Sequence, residues 1–421
     1  MGRGLLLLAS GLIIVVAIIQ KSMSDRLNLI PERTYDYHQE MHAQNVSNSV
    51  MEYGIREIEK DQSWDEGLSE EDFVESEVTL QVFDYDDYTD GNPDIPSDHS
   101  IDDWNQYTIL LVSNAQTNNA EAYTEVAITK DSFSKYVYFT DNEPSHIYFY
   151  DGDVLDGPVH TNDRFNIIGS PVFKGPVTSP NTPNGGDPVY EDITDFASPT
   201  IDMPGSQELN NLRNNGIDGG ITYSNDIYVE FKQNGTVDIY ESNGWSWSPP
   251  VTYNLQDYNG VISSSKKIYT KGTIKGQVTL HSAEEVEIMG DLKYSQDPKK
   301  NPESTDLLGI ISEGNVIVDK DAHKNSGSKD LEINASIMAL DESFEVENYN
   351  SGSDRGTLKL TGGLQQQERG AVGQIKWGGI SGFHKDYSYD DRLLSMSPPY
   401  YPRASTFSKK YWKEKPVVLN K

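Results

Sequence analysis

Residues Gly272–Ser295 read GTIKGQVTLHSAEEVEIMGDLKYS. Apolar residues alternate in short sets, Ile274, then Val278 and Leu280, then Val286 and Ile288, with glycine or polar residues between the sets. Alternation of period two marks β-strands. Strands this short do not hold as isolated hairpins. Stacked as rungs of a parallel β-solenoid, they share one continuous core.

The texture recurs in LLGIISEGNVIVDKD (Leu307–Asp321), DLEINASIMAL (Asp330–Leu340), SFEVENYN (Ser343–Asn350) and GTLKLTGG (Gly356–Gly363). It also occurs upstream, in GPVHTNDRFNIIGSPVFKGPVTS (Gly157–Ser179). Further inward positions are expected at Ile310, Val316, Val318, Leu331, Ile333, Ile337, Leu340, Phe344, Val346, Leu358 and Leu360. Residues 181–260, rich in Asn, Gly, Pro and Tyr, read as an insertion on the solenoid. Within it IYVEFKQNGTVDIYE (Ile227–Glu241) reads as a hairpin turning at Asn234-Gly235.

Working toward the N-terminus, EVTLQVF, QYTILLV, AYTEVAI and KYVYFT follow at hairpin distances and predict a small antiparallel unit. Before them the chain opens MGRGLLLLASGLIIVVAIIQK, with an uncharged apolar run from Leu5 to Ile19. As a helix that run spans about 22 Å, against about 30 Å of bilayer hydrocarbon. Three readings stay open. It is a secretory signal, although no A-x-A site follows. It is an uncleaved anchor. Or it is a pilin-type leader cut after Gly4, with Ala9 where such leaders carry Glu. Beyond it Ala43, Val46, Val50, Tyr53 and Ile58 share one helix face.

The expected fold class is mainly β. A membrane anchor or leader helix occupies 1–22, an amphipathic stalk helix 23–60 and an acidic connector 61–104. Antiparallel strands occupy 105–150, first solenoid rungs 151–180, the insertion 181–260, the β-solenoid 261–370 and a basic tail 371–421.

The net charge is -32 over 421 residues, which argues against a nucleic-acid partner. There is no Cys, so disulfides, thiolate nucleophiles and Cys-based zinc sites are excluded. No phosphate-cradling loop, G-x-S-x-G elbow or H-E-x-x-H motif is present. The sequons at Asn45, Asn234 and Asn334 are read as chance.

Candidate chemistry concentrates in YFYDGDVLDGPVHTND (Tyr148–Asp163). The structural reading makes Asp151-Gly152 and Asp156-Gly157-Pro158 the corners of a rung, with His160-Thr161-Asn162-Asp163 bonding nearby backbone. A metal reading uses Asp151, Asp153, Asp156 and Asp163 as oxygen ligands for calcium, the one cofactor considered. A catalytic reading sets Asp153 or Asp156 with His160 as acid and base. The structural reading is preferred, so no catalytic residue is named and the chain is expected not to be an enzyme. DYDDYTDGNPD (Asp84–Asp94) reads as a solvated acidic loop in preference to a calcium loop. Trp245 and Trp247 are the candidate sugar-stacking residues, but capping of the insertion's core is the preferred reading.

SKYVYFTD, GDVLDGPVHTND, GSPVFKGPVTS, LLGIISEGNVIV, LEINASIMAL, GGLQQQERGAVG and KDYSYDDRLLSMSPPYYP together resemble a group of poorly characterised bacterial envelope proteins. Members have a pilin-like N-terminal helix and a Gly-rich β body. The rungs also resemble, more generically, the polymerising bactofilins. The resemblance implies a non-enzymatic structural or assembly protein anchored in the inner membrane, its body outside the cytoplasm, with pilus-like or envelope partners. The alternatives are a polysaccharide-binding or -processing solenoid and a bactofilin-like polymer subunit.

Overall fold

The computed structural model describes residues 2–102, 104–376 and 379–419, and the side chains at 2–10, 25–30, 32, 206–207 and 375 fall outside the described set. The chain divides into two compact units, Met1–Lys130 with Thr406–Lys421, and Asp131–Ser405.

In the first unit helix α1 runs unbroken over Gly2–Lys60, with Pro31 inside it. Ala43, Val46, Val50, Met51, Ile55 and Ile58 are buried, while Tyr53 stays 43% exposed and meets Trp64 edge-on. The buried face lies on an antiparallel sheet of β1 (Leu68–Phe73), β2 (Ser76–Phe83), β3 (Thr108–Gln116) and β4 (Ala120–Thr129). Gly54 permits the close approach, since a Cβ there would meet Leu80 Cδ2 at 2.6 Å. The C-terminal strand Ser408–Glu414 pairs with β4, so residues at the far end of the sequence complete this sheet.

The expected acidic connector at 61–104 is part of that fold. Val78 and Leu80 of β2 pack under α1, while Phe83, Ile101 and Trp104 fill the opposite face. Asp84–Asp94, expected as a solvated acidic loop, is instead largely helical: Asp84 caps the short helix α2 (Tyr85–Asp90), and Gly91 closes it in the left-handed conformation. Among the described residues no helix is long and apolar enough to cross a membrane; Leu5–Ser10 of the expected anchor lie outside the described side chains.

The second unit is a stack of parallel strands. Its longest sheet contains β5 (Tyr138–Asn142), β6 (Val159–Thr161), β7 (Val177–Thr178), β8 (Thr194–Asp195), β9 (Ile221–Tyr223), β10 (Val261–Ser264), β11 (Gln277–Ser282), β12 (Leu307–Ser312), β13 (Leu331–Ala339) and β14 (Asp354–Glu368). The intervening strands Ile268–Ile274, Val286–Tyr294, Val316–Val318 and Phe344–Val346 pair in parallel among themselves as well. Each strand thus hydrogen-bonds to one a full turn of chain away, so the chain coils in rungs.

The spatial order is not the sequence order. It runs β9-β10-β11-β12-β13-β14-β5-β6-β7-β8. The first strand of the unit therefore stacks on the last of the long sheet. One inward column passes through Ile262, Leu280, Ile310, Ile337, Leu364, Tyr138, Val159 and Val177. The inward positions expected from the sequence lie in this core, except Leu340, which packs half-buried in a separate cluster outside it.

Three expected boundaries shift. Tyr138–Asn142, assigned to the antiparallel unit, is a parallel rung. Residues 181–260 are not simply an insertion. Val189–Tyr190 and Thr194–Asp195 continue the rungs at one end, and Ile221–Tyr223 and Ile227–Phe231 form them at the other. The expected hairpin does turn at Asn234-Gly235, with Gly235 at φ 91°. Finally, Lys385–Ser388 of the expected tail pairs in parallel with β14.

The outward side of the long sheet is covered too. Phe139, Ile311 and Met338 are buried with Leu212 of helix α3 (Ser206–Ile217) and with Tyr401. The PPYYP segment clips down through Tyr401 Oη donating to Gln365 Oε1 at 2.6 Å and Thr279 Oγ1 donating to the Pro399 carbonyl at 2.5 Å.

Candidate functional site

A cavity of about 130 Å³ opens where β5 meets β14. Its walls include Gly152–Leu155 from the Asp-rich stretch, Tyr138 and Phe149, and Arg369, Val372, Lys385 and Tyr387 from the end of the coil. Stacking the first strand on the last brings these distant segments together.

Arg369 follows β14 and is 3% exposed. Its guanidinium lies 3.8 Å from the Phe149 ring centroid, pairs with buried Glu143 at 3.3 Å and donates to the Tyr148 carbonyl at 3.2 Å. Glu143 also accepts from Tyr138 Oη at 2.8 Å and Thr140 Oγ1 at 2.6 Å. A buried ion pair of this kind needs such extra hydrogen bonds to offset its desolvation. Gln366 Oε1 accepts from the Phe344 and Gly370 amides at 3.0 and 3.2 Å.

Lys385 lies in the strand Gly379–Ser388, opposite Leu358 of β14. Burial, then the neighbouring Arg369 charge, push its ammonium down to about 8, while Asp153 and Glu143 act the other way. Among the described residues the Lys385 ammonium makes no hydrogen bond or ion pair. The site therefore offers an apolar, aromatic wall, one paired cation, one amine without an ion pair and the carboxylate of Asp153.

The four aspartates do not converge. Asp151 Oδ1 accepts from the Ser170 amide at 2.5 Å, folding over Gly169, where a Cβ would lie 2.1 Å from it. Asp153 Oδ2 accepts from the Tyr150 amide at 3.0 Å. Asp156 faces Lys174 at 3.4 Å on the surface, and Asp163 Oδ2 accepts from the Glu143 amide at 3.0 Å. Among the described residues no three His, Asp or Glu side chains form a set that could hold a metal ion. Of the four, only Asp153 lines the cavity.

His160 points to the outward face, fully buried. Its Nδ1 lies 2.7 Å from Thr178 Oγ1, its Nε2 lies 3.0 Å from Asn162 Oδ1, and it stacks on Phe139. Burial lowers its pKa, so it is held neutral. Neither Asp153 nor Asp156 is among these partners.

Sequence reasoning missed a second constellation. Ser263 Oγ lies 2.9 Å from His281 Nδ1, and His281 Nε2 lies 2.9 Å from Glu313 Oε1, which Arg213 of α3 also engages. Hydroxyl, imidazole and carboxylate in line resemble a nucleophile relay. Here, however, α3 lies over the hydroxyl: a Cβ on Gly216 would sit 3.1 Å from Ser263 Cβ. The arrangement ties α3 to the sheet. No sequence motif links these residues, because adjacent rungs, not chain neighbours, supply them.

Trp245 is 98% exposed and therefore caps no core. Trp247 is half-exposed beside Tyr228 and Tyr269, with ring centroids 6.1 and 5.5 Å apart.

Residues 111–181 match a family model described as a domain of unknown function, DUF4900. No curated protein matches the chain. Among solved structures it is similar to the competence-associated pilin ComZ from Thermus thermophilus, at 9% identity and a TM-score of 0.36, over 91% of this chain and 98% of that one. A likeness at that score transfers neither fold nor role, and the family description names no activity.

Proposed function

We propose that the chain is a helix-anchored assembly subunit of the bacterial envelope, non-enzymatic, with a β-solenoid body outside the cytoplasm. The observation that carries this reading is the split character of α1. Its second half is buried on an antiparallel sheet, whereas Leu12, Ile13, Ile14, Val15, Val16, Ile18 and Ile19 are 45–68% exposed. Burying one such side chain gains about 1.5–3 kcal/mol. Seven such side chains within residues 12–19 form an apolar surface all round the helix that water does not favour, and lipid is the surrounding that removes it. The polar, acidic remainder is suited to water.

Fractionation of cells tests this. The full chain is expected in the inner-membrane fraction, released by detergent and not by high salt. A chain lacking Met1–Gln20 is expected in the soluble fraction. A truncated chain that still sediments with membrane would sink the reading.

A second reading, a polysaccharide-binding surface, is favoured by one feature. Trp245 is exposed, and Trp247 stands half-exposed beside Tyr228 and Tyr269, with Lys271 and Lys267 near the two tyrosine rings. Retention on immobilised envelope polysaccharide, lost in Trp245→Ala/Trp247→Ala, would support it. Equal retention of both proteins would remove it.

A further inference from the structure

Around the cavity between β5 and β14 two cations, Arg369 and Lys385, stand among two carboxylates, Glu143 and Asp153, and only one of the cations is paired. Arg369 is committed to Glu143 and the Tyr148 carbonyl. The Lys385 ammonium has no hydrogen bond or ion pair among the described residues, and neither has the Tyr387 hydroxyl, which also lines the cavity. The charged groups around Lys385 are Arg369 beyond β14, Asp153 from the 148–155 turn and Glu143 after β5, with exposed Asp386 next in its own strand. Asp153 is a charged carboxylate that accepts from the Tyr150 amide without reaching ion-pair distance of Lys385, and Glu143 is paired with Arg369. The remaining wall is apolar, formed by Phe149, Phe344, Leu155 and Val372.

We propose that this cavity binds a small organic carboxylate, its anionic group against Lys385 and Tyr387 and its apolar body against Phe149, Phe344 and Leu155. An opposite charge in a poorly solvated site interacts far more strongly than in water. The apolar body adds burial that hydrated inorganic anions cannot supply. The volume of about 130 Å³ suits a single ring. Binding is linked to the Lys385 proton. A carboxylate stabilises the ammonium, so affinity is level below pH 8 and falls above it, by up to about tenfold per pH unit. The inference does not depend on the assembly role.

Isothermal titration of the full chain in detergent, with benzoate, benzamide and glucuronate, tests it. Benzoate is expected to bind at least about tenfold more tightly than its uncharged amide or the sugar acid. Lys385→Met is expected to weaken benzoate by about tenfold or more, with benzamide unchanged. Lys385→Arg keeps a cation that does not titrate, so it should retain benzoate and lose the alkaline fall. The proposal is overturned if benzoate gives no saturable heat, if benzamide or glucuronate binds equally well, or if Lys385→Met binds benzoate as wild type does. Should Lys385→Met fail to fold, the pH profile of Lys385→Arg decides, and an unchanged alkaline fall overturns the linkage.

Discussion

At the scale of single residues the corner Asp156-Gly157 separates two kinds of importance. Asp156 only faces Lys174 across a solvent-exposed gap of 3.4 Å. Such pairs contribute about 0–1 kcal/mol, so Asp156→Asn is expected to shift the urea midpoint little. Gly157 has φ of 150°, and a Cβ there would meet Tyr389 Cγ at 2.7 Å. Backbone strain and overpacking together make Gly157→Ala cost about 2–4 kcal/mol. Equal midpoints for the two variants would show that the corner tolerates a side chain. Lys385 supplies the pH-dependent case. Its native pKa of about 8 lies below the unfolded value of 10.5. The unfolded chain therefore binds more protons between those two values, and stability rises with pH across that window. The contribution is at most about 3 kcal/mol. It is expected to vanish in Lys385→Met, so wild type and variant stability curves should converge by pH 10.5. The turn chemistry of these aspartates was legible in the sequence, because Asp-Gly pairs carry their own conformational preference. The meeting of Asp153 with Lys385 was not, since no local pattern spans the two segments.

At the scale of elements, α3 shows how a helix is fixed on a sheet by polar as well as apolar contacts. Leu212 is buried against the outward face, and Arg213 reaches Glu313, which also holds His281. Glu313→Ala leaves His281 Nε2 buried without its acceptor. An unsatisfied group of that kind costs about 1–3 kcal/mol. Faster amide exchange across Ser206–Ile217 is expected, with β11 and β12 unchanged, and uniform exchange in wild type and variant would argue against the lock. The alternating apolar positions of β11 through β14 could be read directly, because every second residue enters the core. The 61–104 segment departs from its reading as a connector for the opposite reason. Its acidic residues dominate the composition, yet the few apolar ones, Val78, Leu80, Phe83 and Trp104, decide that it folds. Charge on the exposed positions of a strand or at a helix cap does not oppose burial of the others.

At the scale of the whole molecule, both units are closed by residues far apart in sequence. Ser408–Glu414 completes the sheet that begins at Leu68, and β14 receives the unit's first rung, β5. Neither closure has a local sequence signal, since identical rung patterns stack equally well in any order until the chain path chooses one. Removing Thr406–Lys421 is expected to destabilise the first unit alone, by exposing β4 and freeing Asp98 from Lys413 and Lys415. Ending the chain after Ser353 is the sharper test of rung order. It deletes β14 and with it the parallel pairing of Leu364 with Tyr138. Strands β6, β7 and β8 are only two or three residues long. Rungs this short depend on their neighbours for a core, so protection from amide exchange should be lost throughout 138–178. The strands from Val261 to Ala339 still stack on one another and are expected to keep most of their protection, with fraying at the newly exposed β13. Were the rungs stacked in sequence order instead, the truncation would leave 138–178 protected, and that result would contradict the topology. Because β5 and β14 are more than two hundred residues apart, their pairing carries a large loop-closure cost and should be among the last events in refolding.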